Sequence, residues 1–242
     1  MMGHSHSLSG AVAGAAVGEF ILHLSLPATV ALAAFTAGMA LTPDLDSCGS
    51  SQARCPGFLT RSLAWVIRGV SGGHRHLTHS ATGIAAFTGL AWLACHLRGD
   101  VAGKAGLALL ITIGISSALE ATHVTDGHLA DVLGIAAAAG VIWYGYGLAL
   151  IPLAAALGTG IHLLGDSCTD SGVMWAYPFS QHRFRLPEPA AFTTGTRPEL
   201  WLIDPLLTLA LLWLAWHALS AGIPGHSLTA RVLADALHLA SR

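Results

Sequence analysis

The apolar residues of this chain come in long, nearly uncharged blocks, and that arrangement decides the solvent it folds in. Leu8 to Thr42 holds one charged side chain, Glu19. Ser80 to Leu97 and Ala105 to Leu119 hold none, Leu129 to Leu164 holds only Asp131, and Leu200 to Leu219 only Asp204. Apolar runs of roughly 17–25 residues can cross a hydrocarbon core of about 30 Å. Charged residues make up 10% of the 242 and mean hydropathy is +0.63, whereas a soluble domain carries about 25% charged residues. Ala and Gly recur inside the runs, as close helix packing in lipid requires. The expected fold is all-α: a polytopic integral membrane helical bundle with about six to seven apolar helices, in contact with the lipid bilayer.

The spans expected are 8–26, 28–42, 80–97, 105–122, 129–146, 148–166 and 200–220. Pro27 separates the first two, Pro43 stops the second, and Gly145-Tyr146-Gly147 breaks the fifth from the sixth. Met1 to Ser7 lacks Lys and Arg, so the first run reads as a retained helix rather than a signal peptide. Residues 1–220 form the expected membrane-embedded domain. Residues 221–242 form the tail, where apolar positions 228, 232, 233, 236, 237 and 240 predict a short C-terminal amphipathic helix.

Two polar segments, 43–79 and 167–199, read as loops. Arg54, Arg61, Arg68 and Arg75 in one, and Arg183, Arg185 and Arg197 in the other, predict that both face the cytoplasm. Alternating spans then put the N-terminus, both loops and the 120–128 turn on one membrane face. Arg98 and Lys104 fall on the opposite face, against that orientation. No long basic run suggests nucleic acid. Cys48, Cys55, Cys95 and Cys168 form no CxxC pair, so they read as ordinary small residues or free thiols.

Histidine is the unusual residue: 14 are present, against 11 Lys and Arg together. Thr42-Pro43-Asp44-Leu45-Asp46 ends a span with two carboxylates that can face one cation. Taken alone it also reads as a helix stop and solvated loop. Gly72-Gly73-His74-Arg75-His76-Leu77-Thr78-His79-Ser80 brings three imidazoles directly before a span, with Thr78 or Ser80 as a helix cap and Arg75 as an anion clamp. His162 and Asp166 lie four residues apart on one helix face. His4-Ser5-His6 precedes the first span. Glu120, His123, Asp126, His128 and Asp131 have ligand chemistry but no recognisable spacing, and a charged turn explains them equally well. Glu19 reads as a helix-packing group. His23, His96, His217 and His238 read as lone interfacial or packing residues, and Trp65, Trp175 and Trp201 as interfacial anchors.

The order of these motifs resembles the YdjM-like family of membrane-bound, metal-dependent hydrolases, some of them described as LexA-regulated. The resemblance is carried by Met1-Met2-Gly3 with a nearby His, Pro43 to Asp46, His74 to Ser80, His162 with Asp166, Tyr177-Pro178 and Arg183 to Pro187, over roughly residues 1–190. It implies an inner-membrane, multi-pass hydrolase with a divalent metal. It also implies Asp44, Asp46, His74, His79, His162 and Asp166 as site residues, with His6 fitting the N-terminal position better than His4.

The expected metal ligands are therefore His6, Asp44, Asp46, His74, His79, His162 and Asp166, with Asp46, Asp166 and Arg75 in catalytic roles. Mixed imidazole and carboxylate donors suit Zn or Mn better than Ca. Three functions stay open. A hydrolase would attack a phosphoester of a lipid or lipid-linked substrate at the membrane surface. A metal or ion carrier would use Glu19 and Asp204 as the far half of a path. A non-catalytic scaffold would use the metal structurally.

Overall fold

The computed structural model describes residues 1–47, 49–54, 57–125 and 127–221. The expected tail helix lies outside the described residues. Helix α1 (Gly3–Ala16) runs on through a wide π-type turn, Val17–Ile21. It is followed by α2 (Leu26–Met39), a 3₁₀ turn over Thr42–Asp46, and the short helices α3 (Ser51–Arg54) and α4 (Phe58–Ser71). A second 3₁₀ turn, Leu77–His79, leads into α5 (Ala81–His96). Then come α6 (Val101–Ala121), α7 (Gly127–Tyr144), α8 (Ile151–Ser167) and, after a π-type turn over Glu199–Ile203, α9 (Asp204–Ala221). There is no strand among the described residues, only two isolated bridges in the loop after α8.

The polytopic bundle predicted from the apolar runs is present. Five segments are long and apolar enough to cross a membrane: Leu26–Asp46, Val101–Ala121, Gly127–Tyr144, Leu148–Ser167 and Glu199–Ser220. The runs at 8–26 and 80–97 are helical as well. However, α5 has 16 residues, about 24 Å at 1.5 Å per residue, and α1 is rich in Ser and His. Pro27 sits in the first turn of α2, where its missing N–H costs nothing.

Segment 43–79 differs from the expected loop. It folds into α3 and α4, and α4 is amphipathic. Arg61 and Arg68, seven residues apart, share a face roughly opposite Leu63 and Ile67. The arginines lower the mean hydropathy of the segment, so a search for continuous apolar runs passes over it. Gly72, at φ 81°, ends α4 in the left-handed region that glycine adopts most easily.

Helix α2 is the centre of the bundle, packing on α1, α6 and α8, while α5 joins α6 to α8 and α7 packs on α6. Glycine permits these approaches. A Cβ added at Gly38 would lie 2.6 Å from the Gly114 carbonyl carbon, and one at Gly158 2.6 Å from the Ala40 nitrogen. The core around Leu32, Phe35, Leu107, Ile111 and Ile151 fills the space between these crossings. This packing brings the start of α1, the end of α2, the start of α5 and the end of α8 to one end of the bundle. Glu120 at the end of α6 reaches Arg54 of α3 at 3.4 Å, and His4 reaches Asp204 at the start of α9 at 2.7 Å. The shared face expected from alternating spans is thus the geometry observed.

Candidate metal centre

The four motifs that the sequence separates by up to 160 residues meet in one buried cluster. His6, Asp46, His79, His162 and Asp166 are all buried, and Asp44 is partly exposed. Three overlapping sets each bring their donor atoms within 4.8 Å of one another: Asp44, Asp46, His74 and His79; His6, Asp44 and His162; and His79, His162 and Asp166. Every metal ligand expected from the sequence belongs to at least one set.

Backbone geometry aims each donor. In α8, His162 donates its Nδ1–H to the Ala40 carbonyl at 2.7 Å, which leaves the Nε2 lone pair facing the cluster. A partner on the far ring nitrogen is the usual way an imidazole ligand is oriented. His79 is held the same way from the other side: its Nδ1 lies 3.1 Å from the Thr78 hydroxyl and 3.4 Å from Asp46 Oδ2. Its Nε2 points inward, 3.4 Å from Asp44 Oδ1 and 3.8 Å from Asp166 Oδ2. The ring of His6 stacks on that of His162, centroids 3.7 Å apart. Gly165 makes room for Met1 beside that ring, since a Cβ there would lie 2.5 Å from Met1 Sδ.

Asp46 takes the largest share of the hydrogen bonds. It accepts from the Thr78 hydroxyl and from the Arg75 backbone N–H at 3.2 Å, and it lies 2.6 Å from His74 Nδ1. Asp166 is the opposite case. Its Oδ1 meets the Met1 amino group, whereas its Oδ2, though buried, accepts no hydrogen bond. Both ring nitrogens of His6 are also buried without a hydrogen bond, with Nε2 only 3.3 Å from Asp166 Oδ1. Arg75 Nη2 is 3.3 Å from Asp166 Oδ2, and its Nη1 is buried and unpartnered. The Arg75 backbone, at φ 63°, is held in the left-handed region, a conformation that costs energy in a non-glycine residue and gathers at functional sites.

These orphaned atoms are the fit test for a cation. Buried polar groups are normally paired, and here the unpaired ones, from His6 and Asp166, face a cluster of lone pairs. The Nε2 atoms of His79 and His162 lie 3.1 Å apart, a separation that two bare lone pairs resist. Burial pushes the His79 imidazole down, but the carboxylates of Asp44 and Asp46 outweigh it and raise it to about 9. The donor set of imidazoles and carboxylates suits a divalent cation such as Zn or Mn.

Several sequence expectations are refined here. Ser80, not Thr78, caps α5, accepting from the Gly83 N–H at 3.2 Å. The Ala81 N–H donates to the Trp175 carbonyl at 2.9 Å. Two of the first amides of α5 are thus occupied, and Arg75 is the stronger anion donor. Trp175, expected as an interfacial anchor, donates its indole N–H to Ser167 Oγ at 2.9 Å, tying the loop after α8 to the end of that helix. Glu120, His123, His128 and Asp131 belong to none of the donor sets found among the described residues. His217 is not a lone residue, since its Nδ1 lies 3.2 Å from Glu19 Oε1. Cys95 and Cys168 are free thiols. Sequence reading missed Glu199, which is buried and accepts from the backbone N–H groups of Met2 at 2.6 Å and Gly195 at 2.7 Å. It ties the start of α1, and with it His6, to the start of α9. A lone Glu before an apolar run carries no motif, so no sequence signal pointed to it.

Residues 1–233 match the family of YdjM inner membrane proteins. The match covers nearly the whole chain, which therefore belongs to that family. No curated protein and no solved structure shows significant similarity to it.

Proposed function

We propose that this protein is a membrane-bound, metal-dependent hydrolase acting on a phosphoester of a lipid or lipid-linked substrate at the membrane surface. The observation that carries the reading is the convergence of buried imidazoles and carboxylates, with His6 and Asp166 atoms unpartnered, at the end of an apolar bundle. His6, Asp44, His79, His162 and Asp166 would hold the cation, with His74 at the rim. A divalent cation there supplies Lewis acidity and brings the pKa of a water towards about 7.

The remaining chemistry belongs to side chains of the chain. Asp166, whose Oδ2 accepts no hydrogen bond but lies 3.3 Å from Arg75 Nη2, would accept the proton of the attacking water. Asp46, with its oxygens already engaged by Thr78, His74 and Arg75, orients His79 rather than moving protons. Arg75 directs its unpartnered Nη1 to the anionic oxygens of the substrate, a role that guanidinium geometry suits. The positive-inside pattern supports a cytoplasmic site.

Elemental analysis of purified protein beside His79→Ala and Asp166→Asn tests the ligand set. The expected result is a stoichiometric transition metal in the parent and little in either variant. Full occupancy in both variants overturns the reading. Hydrolysis is tested separately, with phosphomonoester and phosphodiester lipids and the Arg75→Ala variant. Turnover that Arg75→Ala leaves unchanged removes Arg75 from the mechanism.

A carrier reading has less support. Asp204, expected with Glu19 in the far half, instead lies at the site end, 2.7 Å from His4 Nε2, and Glu19 pairs with His217, so the two do not continue the cluster as a path.

A further inference from the structure

Beside the metal centre lies an apolar cavity of ≈ 360 Å³ between α2, α4, α5 and α6, within the roughly 300–1,000 Å³ range of small-molecule sites. Its walls include Leu63 and Ile67 of α4, Leu90 of α5, and Leu110 and Ile113 of α6. Small residues let α5 and α6 close along one side of it: an added Cβ at Gly106 of α6 would come 3.3 Å from the Ala94 methyl of α5.

The cavity and the metal centre share one structural element. In the 3₁₀ turn Thr42–Asp46, residues three apart stand on the same face. Thr42 and Leu45 line the cavity, while Asp44 and Asp46 face the His79 side. Helix α4 packs on that same turn. It lines the cavity with Leu63 and Ile67 and carries Arg61 and Arg68, both exposed, on the roughly opposite face. Trp65 and Val70 of α4 are largely exposed too. A basic amphipathic helix with exposed apolar side chains lies in the headgroup region and favours anionic lipid.

We infer that this cavity holds one hydrocarbon chain of an anionic lipid whose headgroup is presented to the metal centre over the edge of the Thr42–Asp46 turn. The inference rests on the hydrolase reading for what happens to the headgroup, but the chain site itself does not. Two properties single out this occupant over a protein segment. The lining is apolar almost throughout, which leaves a peptide backbone no hydrogen-bond partners. The cations beside it stand at the headgroup level of the same helix.

The test uses the full chain, metal-loaded, in lipid nanodiscs doped with phosphatidic acid bearing a diazirine in one acyl chain. After irradiation, adducts should concentrate on Leu63, Ile67, Leu110 and Ile113. Filling the cavity by Ile67→Trp or Leu110→Trp should lower the adduct yield about tenfold, equivalent to about 1.4 kcal/mol of binding, with bound metal unchanged. Arg61→Gln with Arg68→Gln should lower the yield for phosphatidic acid more than for a phosphatidylcholine probe of the same chain. Adducts spread along the exposed face of α9, or cavity adducts indifferent to both Trp substitutions, would overturn the inference. The two readings fail separately. Cavity labelling without turnover of any phosphoester rejects hydrolysis and keeps the chain site. Turnover whose KM for long-chain over short-chain lipids ignores both Trp substitutions rejects the chain site and keeps hydrolysis.

Discussion

Helices α2 and α9 look alike in sequence and end in opposite places. Both belong to segments apolar enough to cross a membrane, yet most of the segment Leu26–Asp46 is buried inside the protein and almost none of Glu199–Ser220. Apolarity specifies contact with something apolar, and lipid tails satisfy that as well as a neighbouring helix does. What separates the two helices is side-chain size at the crossings. Around α2, Gly38 meets Gly114, Gly158 meets the Ala40 backbone, and Gly10 meets the Thr36 carbonyl. In α9, Leu206, Leu209, Leu212, Trp213 and Trp216 project outward and stay exposed to the surroundings of the bundle. The helix with close neighbours on three sides leads into the turn that carries Asp44 and Asp46, because a site needs rigid elements around it.

The sharpest way to break this contrast is to enlarge a crossing residue. Gly158→Leu drives a side chain into the backbone of α2 and separates the Ala40 carbonyl from His162. The expected outcome is loss of several kcal/mol, at or beyond the roughly 1–3 kcal/mol of ordinary overpacking, read as a collapse of thermal stability in detergent together with loss of metal. Gly158→Ala, with one methyl, should lower Tm and metal content by less. A variant that keeps both at parental level would show that the α2–α8 approach does not set the site.

Next in size is His162→Phe, which keeps the ring volume but removes both the bond to Ala40 and the inward donor. Metal content should fall at least about tenfold, a loss of about 1.4 kcal/mol or more in cation binding, while the helical circular dichroism stays intact. Equal metal content in variant and parent would exclude His162 from the ligand set.

Glu199→Gln joins the two regions, since Glu199 sits at the base of α9 and holds the start of α1. Replacing a buried carboxylate that accepts two backbone N–H bonds should cost about 1–3 kcal/mol, measured as thermal unfolding. The start of α1 should gain amide exchange more than α2 does. The smallest effect is expected on the outer helix. Leu209→Ala removes an exposed side chain and should change stability by less than about 0.5 kcal/mol. A larger change would mean that α9 has a protein partner in the membrane.

Much of the site was legible before any coordinates. PDLD, HRHLTHS and HLLGD mark themselves by putting Asp and His at the ends of apolar runs, where bare charge is costly without a purpose. The alternation of spans then places them on one face. Helix α4 was hidden because its apolar residues are interrupted by arginines, and an amphipathic interfacial helix has no long apolar run to detect. Glu199 was hidden because its partners are backbone amides of Met2 and Gly195, groups that sequence does not distinguish. The split between Asp46 and Asp166 was equally invisible: two aspartates in similar motifs differ only in which neighbours reach their oxygens.

Sequence alone determined that this chain is an all-helical membrane protein with a His and Asp cluster at one end, because helix length, apolar content and alternation are properties of the chain read in order. Tertiary structure alone decided which helices stand inside, which carboxylate is held by hydrogen bonds and which chiefly by ion pairs, and where an apolar cavity adjoins the cluster. Those outcomes depend on distances of a few ångströms between residues far apart in the chain, and at a helix crossing a single methyl group is enough to change them.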